Sequence, residues 1–233
     1  MSLRLPTVFI PALLCDEMLY RDVIAVLGDV IEPQVLMSPQ ANLADSAADI
    51  LARAPRTFAL VGTSYGANVA LAIALAAPER VSSLWLMGCD ASAPAAGGPD
   101  LAAGLDATPD AIVDFLAGIV VRPADHAASA AFKAMAHRVG APAGAAQARA
   151  LASRDDIWSR LSELRMPALI LTGDEDPIAP PARGQQLAQV MPHARFELMQ
   201  QCGHLPSLEQ PARAAALFHA FLGENAPQPH PAR

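Results

Sequence analysis

Ser64 sits at the centre of Gly62-Thr63-Ser64-Tyr65-Gly66, directly after the apolar run 57–61 and before a stretch of small residues at helical spacing. A serine between two glycines on a sharp strand-to-helix turn exposes its hydroxyl, because glycine lets the two backbones pass without a Cβ between them. Such a serine is expected to occupy strained backbone dihedrals. A hydroxyl is a weak nucleophile at neutral pH, so Ser64 needs a base to take its proton and an acid to orient that base. Both occur downstream, in the order serine, acid, histidine. Gly173-Asp174-Glu175-Asp176-Pro177 follows the apolar run 168–172, and Gln200-Gln201-Cys202-Gly203-His204 follows the run 195–199. Asp176 is the expected acid, with Asp174, Glu175 and Asp90 as rivals at the same cleft. His204 is the expected base: His126, His137, His219 and His230 lie in helical patterns or the tail, and His193 precedes a strand. The chemistry implied is attack of a serine on an ester carbonyl, which calls for neither metal nor cofactor.

These loops need a scaffold. The runs 3–10, 57–61, 82–87, 168–172 and 195–199 have strand length and read as buried on both faces; a weaker run at 33–37 makes six strands. Helical patterns at 18–27, 43–54, 67–77, 181–190 and 212–222 alternate with them, which predicts an α/β fold with a mostly parallel, doubly wound sheet. From 91 to 161 the alternation gives way to Ala-rich, helix-like sequence such as DAIVDFLAGIVV and ASAAFKAMAHRVG. Entering after one strand and returning before the next, this segment reads as a helical cap over the strands' carboxyl ends. The expected organisation is a core of 1–90 and 162–223, a cap of 91–161 and a flexible tail of 224–233.

Bulk properties narrow the function. The 233 residues suit one domain with a single core. Hydrophobic residues make up 53% of the chain, yet no run approaches the roughly 20 apolar residues that span a bilayer. A net charge of −7 argues against nucleic acid as a partner. Pro6 and Pro11 interrupt the N-terminal apolar run, which reads as a buried strand rather than a signal segment, so a cytoplasmic home is expected. Cys15, Cys89 and Cys202 lack metal-type spacing and read as buried thiols near the pocket. Between 91 and 161, six Lys/Arg face seven Asp; a near-neutral cap speaks for a small-molecule ester and against docking of an acidic acyl carrier protein.

Together, VFIPALLCDEMLY, VGTSYGANVALAIA, PALILTGDEDPIAPP and QCGHLPSLEQP resemble the α/β-hydrolase superfamily over nearly the whole chain, in particular its capped carboxylesterase branch. The resemblance implies Ser64 as nucleophile, Asp176 as acid, His204 as base, and the backbone amides of Leu13 and Tyr65 as an oxyanion hole. Where the family usually carries His-Gly before the oxyanion residue, this chain has Pro11-Ala12, which makes Leu14 the neighbouring candidate for that amide. Ala67 replaces a frequent glycine after the elbow, and the leading antiparallel strands of larger relatives are not expected in the sheet. Ile112, Phe115, Leu116 and Ile119, at helical spacing, offer an apolar wall; Leu14, Phe115 and Ile119 are the substrate contacts expected. Since this fold also hosts lactone hydrolysis, carbon–carbon hydrolysis and perhydrolysis, those remain alternatives to ester cleavage, with a non-catalytic binding module more remote.

Overall fold

The computed structural model describes residues 4–225. Six strands, β1 (Leu5–Ile10), β2 (Ile31–Val35), β3 (Phe58–Thr63), β4 (Val81–Met87), β5 (Ala168–Gly173) and β6 (Ala194–Met199), form one sheet in the order β2-β1-β3-β4-β5-β6. All five pairings are parallel. The chain lays β2 on one side of β1 and then crosses to lay β3 on the other, so strand order reverses between β1 and β3. A crevice opens at such a reversal, beyond the strands' carboxyl ends.

The helices form where apolar faces meet clear start signals. Asn42 accepts the amides of Ala44 (2.9 Å) and Asp45 (3.3 Å) and so opens α2 (Leu43–Arg53). Next comes α3 (Tyr65–Ala76), which starts directly at Tyr65 and buries nine residues, most of them small. Ahead of both lies α1 (Arg21–Leu27), preceded by a 3-10 turn, Glu17–Leu19, because the Asp16 carboxylate accepts the Met18 amide. Four helices, α4 (Leu101–Ala107), α5 (Pro109–Ala117), α6 (His126–Val139) and α7 (Ala141–Ala152), stand between β4 and β5. Asp100 and Asp125 cap α4 and α6, and prolines start α5 and α7. The chain closes with α8 (Pro181–Val190), α9 (Pro206–Glu209) and α10 (Pro211–Glu224), which packs on α1 and stacks Phe218 on Trp85 of β4 at 4.4 Å. One continuous cluster of buried residues runs from the sheet into the inserted helices.

The structure departs from the sequence reading in three places. β2 covers 31–35 rather than 33–37, since Ile31 is its buried anchor and Pro33 is tolerated on an edge strand. β6 is the opposite edge and is only half-buried, its Arg195 pairing with Glu197 and Glu224, so it is not covered on both faces. Short α9 carries no apolar periodicity and was not anticipated. The expected tail falls almost wholly outside the described residues, as does His230.

The tightest packing lies at the reversal point. A Cβ on Gly66 would drive into the carbonyls of Ile10 and Pro11, and one on Gly62 into the Gly66 backbone. Tyr20 locks the same corner, its hydroxyl donating to the Ile10 carbonyl at 2.9 Å and standing 2.7 Å from the Thr63 hydroxyl. Replacing Gly66 with alanine is therefore expected to cost about 1–3 kcal/mol, through forced separation of β1 from α3. A urea unfolding midpoint equal to that of the wild type would contradict this packing.

Candidate active site

Ser64 follows β3 with φ 54°, outside the regions an L-residue prefers, and its amide donates to the Met87 carbonyl of β4 at 2.9 Å. That bond ties the strained residue to the sheet. Its carbonyl accepts the amides of Ala67 and Asn68 and the Asn68 side-chain amide (2.9, 3.1 and 3.2 Å), which starts α3. As the first residue of α3, Tyr65 has an N–H with no intrahelical acceptor, at the positive end of the helix dipole.

Asp176 and His204 are both buried, at 4% and 2% exposure, and the His204 Nδ1 lies 2.8 Å from Asp176 Oδ2. The other Asp176 oxygen accepts the amides of Ile178 (2.8 Å) and Ala179 (2.9 Å), which fixes the carboxylate plane. With the carboxylate accepting from Nδ1–H, the His204 Nε2 carries the free lone pair. It is buried without a hydrogen-bond partner among the described residues. The three rivals to Asp176 are engaged elsewhere: Asp174 accepts the Cys202 amide, Glu175 pairs with Arg122, and Asp90 accepts the Ser92 amide and faces Arg183.

Ser64 and His204 open onto one cavity of about 80 Å³. The core contributes Ala12, Leu13, Ile178 and Leu205; the insertion contributes Leu101, Leu116, Phe132 and Leu151, with Val120 from the turn after α5. The inserted helices thus roof the carboxyl ends of the strands. Phe115 and Ile119, the expected contacts, lie off this wall. Val113, Leu116 and Ala117 form the buried face of α5, leaving Phe115 half exposed. Gly118 then ends the helix, so the spacing that placed Ile119 on the same face no longer applies. Ile112 packs instead against Gly104 of α4. Leu14 is also off the wall: its amide donates to Gln147 Oε1 at 2.9 Å and its side chain is fully buried against Gly144. The Leu13 N–H meets no acceptor among the described residues. None of the three cysteines lines the cavity; burial pushes each thiol well above its usual range, so they act as small apolar filler. A larger groove of about 540 Å³ between α2, α3 and 153–160 contains neither Ser64 nor His204.

Glu209 was not anticipated from sequence. Its carboxylate accepts the amides of Gly203 (3.1 Å to both oxygens), Leu205 (3.3 Å) and, from the insertion, Arg122 (3.0 Å). Burial pushes its carboxyl above the usual range, partly opposed by those N–H donors. Gly88, at φ 54°, is the other hidden constraint, since a Cβ there would stand 2.8 Å from His204 Nδ1.

With this geometry established, the chain matches the model of the alpha/beta hydrolase family over residues 16–217. It belongs to that family. A 2-hydroxymuconate semialdehyde hydrolase of Pseudomonas putida is 32% identical over 174 residues, covering 71% of this chain; the chain spans 62% of that relative's length. A pimeloyl-[acyl-carrier protein] methyl ester esterase of Nitrosomonas europaea is 28% identical over 195 residues and 76% of each chain. Among solved structures, a thermophilic esterase from Thermogutta terrifontis superposes with a TM-score of 0.83 at 22% identity, covering 96% of this chain and 91% of that one. One curated relative is named as a hydrolase, and the other, like the solved neighbour, as an esterase. Among the described residues no helix is long and apolar enough to cross a membrane, and no cluster of three or more His, Cys, Asp or Glu is placed to hold a metal.

Truncating Glu209 to alanine strands the Gly203, Leu205 and Arg122 amides beside the histidine loop. A stability loss of about 1–3 kcal/mol is expected, with a fall in kcat of about tenfold as His204 loses its fixed position. Urea unfolding and saturating-substrate kinetics measure the two effects separately.

Proposed function

We propose that this protein is a serine hydrolase that cleaves small carboxylic esters through an acyl-enzyme on Ser64. The observation that carries the reading is the buried Asp176–His204 pair, whose unpartnered Nε2 borders the same apolar cavity as the strained Ser64. His204 Nε2 accepts the Ser64 proton as Oγ attacks the carbonyl carbon, and Asp176 stabilises the imidazolium. The tetrahedral oxyanion receives hydrogen bonds from the Leu13 and Tyr65 amides, the Leu14 amide being committed to Gln147. Collapse expels the alcohol, protonated by His204, and water activated by the same imidazole then releases the acid. Each step uses protein groups alone, so no metal or cofactor is invoked. In this reading, residues 91–161 act as a cap on the core.

Cavity chemistry supports an uncharged substrate. A wall of Ala, Val, Leu, Ile and Phe offers no cation to a carboxylate, and about 80 Å³ lies well below the roughly 300–1,000 Å³ of most ligand sites. Short acyl groups therefore fit best. The insertion's cations favour free esters over carrier-bound ones: Arg122, Lys133, Arg138, Arg149 and Arg160 each face a carboxylate, and Arg154 bonds the carbonyls of Ser92 and Leu151. Three unpaired, buried cysteines suit a reducing, cytoplasmic compartment. Carbon–carbon hydrolysis is the second reading, favoured by the P. putida relative. A muconate-type substrate carries a carboxylate, which this wall leaves unpaired.

Hydrolysis of p-nitrophenyl acetate and butyrate is expected, with kcat/KM falling about tenfold or more for the octanoate. Ser64→Ala should reduce turnover by about a thousandfold or more. Release that survives the Ser64→Ala change would sink the acyl-enzyme, and no release by the wild type would favour a non-catalytic binding module.

A further inference from the structure

Resting on the serine hydrolase reading above, we propose that Gln147, on helix α7 of the cap, is a positioning residue that sets the geometry of the oxyanion hole. The loop after β1 closes as a tight turn in which the Cys15 amide donates to the Ala12 carbonyl at 3.0 Å. Leu13 and Leu14 are its central residues. Leu14 has φ 60°, the left-handed value that the third position of a type II turn requires and that glycine normally supplies. A leucine there is strained, and left alone the Leu13–Leu14 peptide would rotate to relieve it, moving the turn that carries the Leu13 N–H.

Gln147 opposes that rotation. It is only 2% exposed, and its Oε1 takes the Leu14 N–H at 2.9 Å across 133 residues of sequence. One turn earlier on the same helix, Gly144 leaves no room for a Cβ because the Leu14 side chain occupies that space. A second tether runs parallel: Arg138 of α6 binds Asp16 through both oxygens, at 2.7 and 3.1 Å, just past the same turn. The cap therefore grips the loop at its side chain, its backbone and its exit. Gln147 touches neither Ser64 nor the cavity, so it acts through the Leu13 amide and not on the substrate. Pro11-Ala12-Leu13-Leu14-Cys15 puts no glycine in this loop, and the clamp from the cap supplies the conformational control that a glycine at position 14 would not need.

Methionine matches glutamine in shape and lacks the oxygen. In the full-length enzyme, Gln147→Met is expected to lower kcat on p-nitrophenyl butyrate about tenfold to a hundredfold while KM changes less than about threefold. An alkyl boronic acid forms a tetrahedral adduct on Ser64 that places an oxygen in the hole, so its inhibition constant should rise by a similar factor. Gln147→Glu retains an acceptor and should keep kcat within about threefold of the wild type. Gln147→Ala carries the same expectation as the methionine variant if the latter does not fold, with thermal unfolding recorded for each. Wild-type kcat and boronic acid affinity in Gln147→Met, or an equal loss in Gln147→Glu, overturn the role of Gln147 and leave the serine mechanism standing. Wild-type turnover that is indifferent to Ser64→Ala overturns both.

Discussion

The site exists because two backbones approach more closely than any side chain permits. Where the first turn of α3 crosses the end of β1, Gly66 lies against the Ile10 and Pro11 carbonyls, and Gly62 lies against Gly66. That contact brings the Tyr65 amide, the Ser64 hydroxyl and the turn carrying Leu13 to one corner of the sheet, at the point where strand order reverses. A Cβ at position 66 would push the Tyr65 amide away from the turn carrying Leu13 even with Ser64, Asp176 and His204 in place. Tyr20 reinforces the corner from the far side, bridging the Ile10 carbonyl and the Thr63 hydroxyl.

Much of this was legible in the sequence because it depends on local rules. Glycines flanking Ser64 announce a turn that needs missing side chains, and apolar runs of strand length alternating with helical patterns announce a parallel sheet covered on both faces. The family match and the six-stranded parallel sheet agree with that reading. Asp176 could be separated from Asp174 and Glu175 only by which carboxylate meets His204, a matter of loop conformation. Of the expected apolar wall, Leu116 lines the cavity, whereas Ile119 falls beyond Gly118, where α5 ends, and Phe115 lies on the exposed side of α5, whose rotation spacing alone does not give. Glu209 and Gln147 were invisible for another reason: their partners are backbone amides, and backbone amides leave no mark in a sequence. An acidic residue shortly after a Gly-His pair and a lone glutamine in an Ala-rich helix read as solvated side chains until the fold shows what they hold.

The electrostatics divide along the same line. On the surface of the segment between β4 and β5, ion pairs such as Lys133–Asp114 and Arg160–Glu163 are largely exposed and each contributes little to stability. Inside, polar groups are few and directed: Asp176 spends one oxygen on two amides and the other on His204, and Glu209 gathers amides from both the histidine loop and the cap. Burial of these carboxylates is tolerable because N–H donors surround them. Five buried side-chain polar atoms lack a partner among the described residues, Ser83 Oγ, Trp85 Nε1, Thr172 Oγ1, Ser207 Oγ and His204 Nε2, and of these residues only His204 lines the cavity that Ser64 borders.

Strain follows the same geography. Among the described residues, the non-glycine positions with positive φ are Leu14, Ser64 and Gln201, in three of the four loops that build the candidate site; the loop carrying Asp176 has none. Each costs on the order of 1–3 kcal/mol and persists only because the surrounding structure over-determines it. Leu14 is held by Gln147, Ser64 by the Met87 carbonyl of the neighbouring strand, and Gln201 by the Gln210 side chain, which donates to its carbonyl at 2.7 Å. The restraint on Leu14 comes from 133 residues along the chain, that on Ser64 from the neighbouring strand and that on Gln201 from only nine residues ahead, so the loop after β1 is the one whose shape depends on the inserted helices. The geometry of the candidate site thus depends on inserted helix α7 as well as on the sheet, and the insertion shapes the site's loops as much as it walls the cavity.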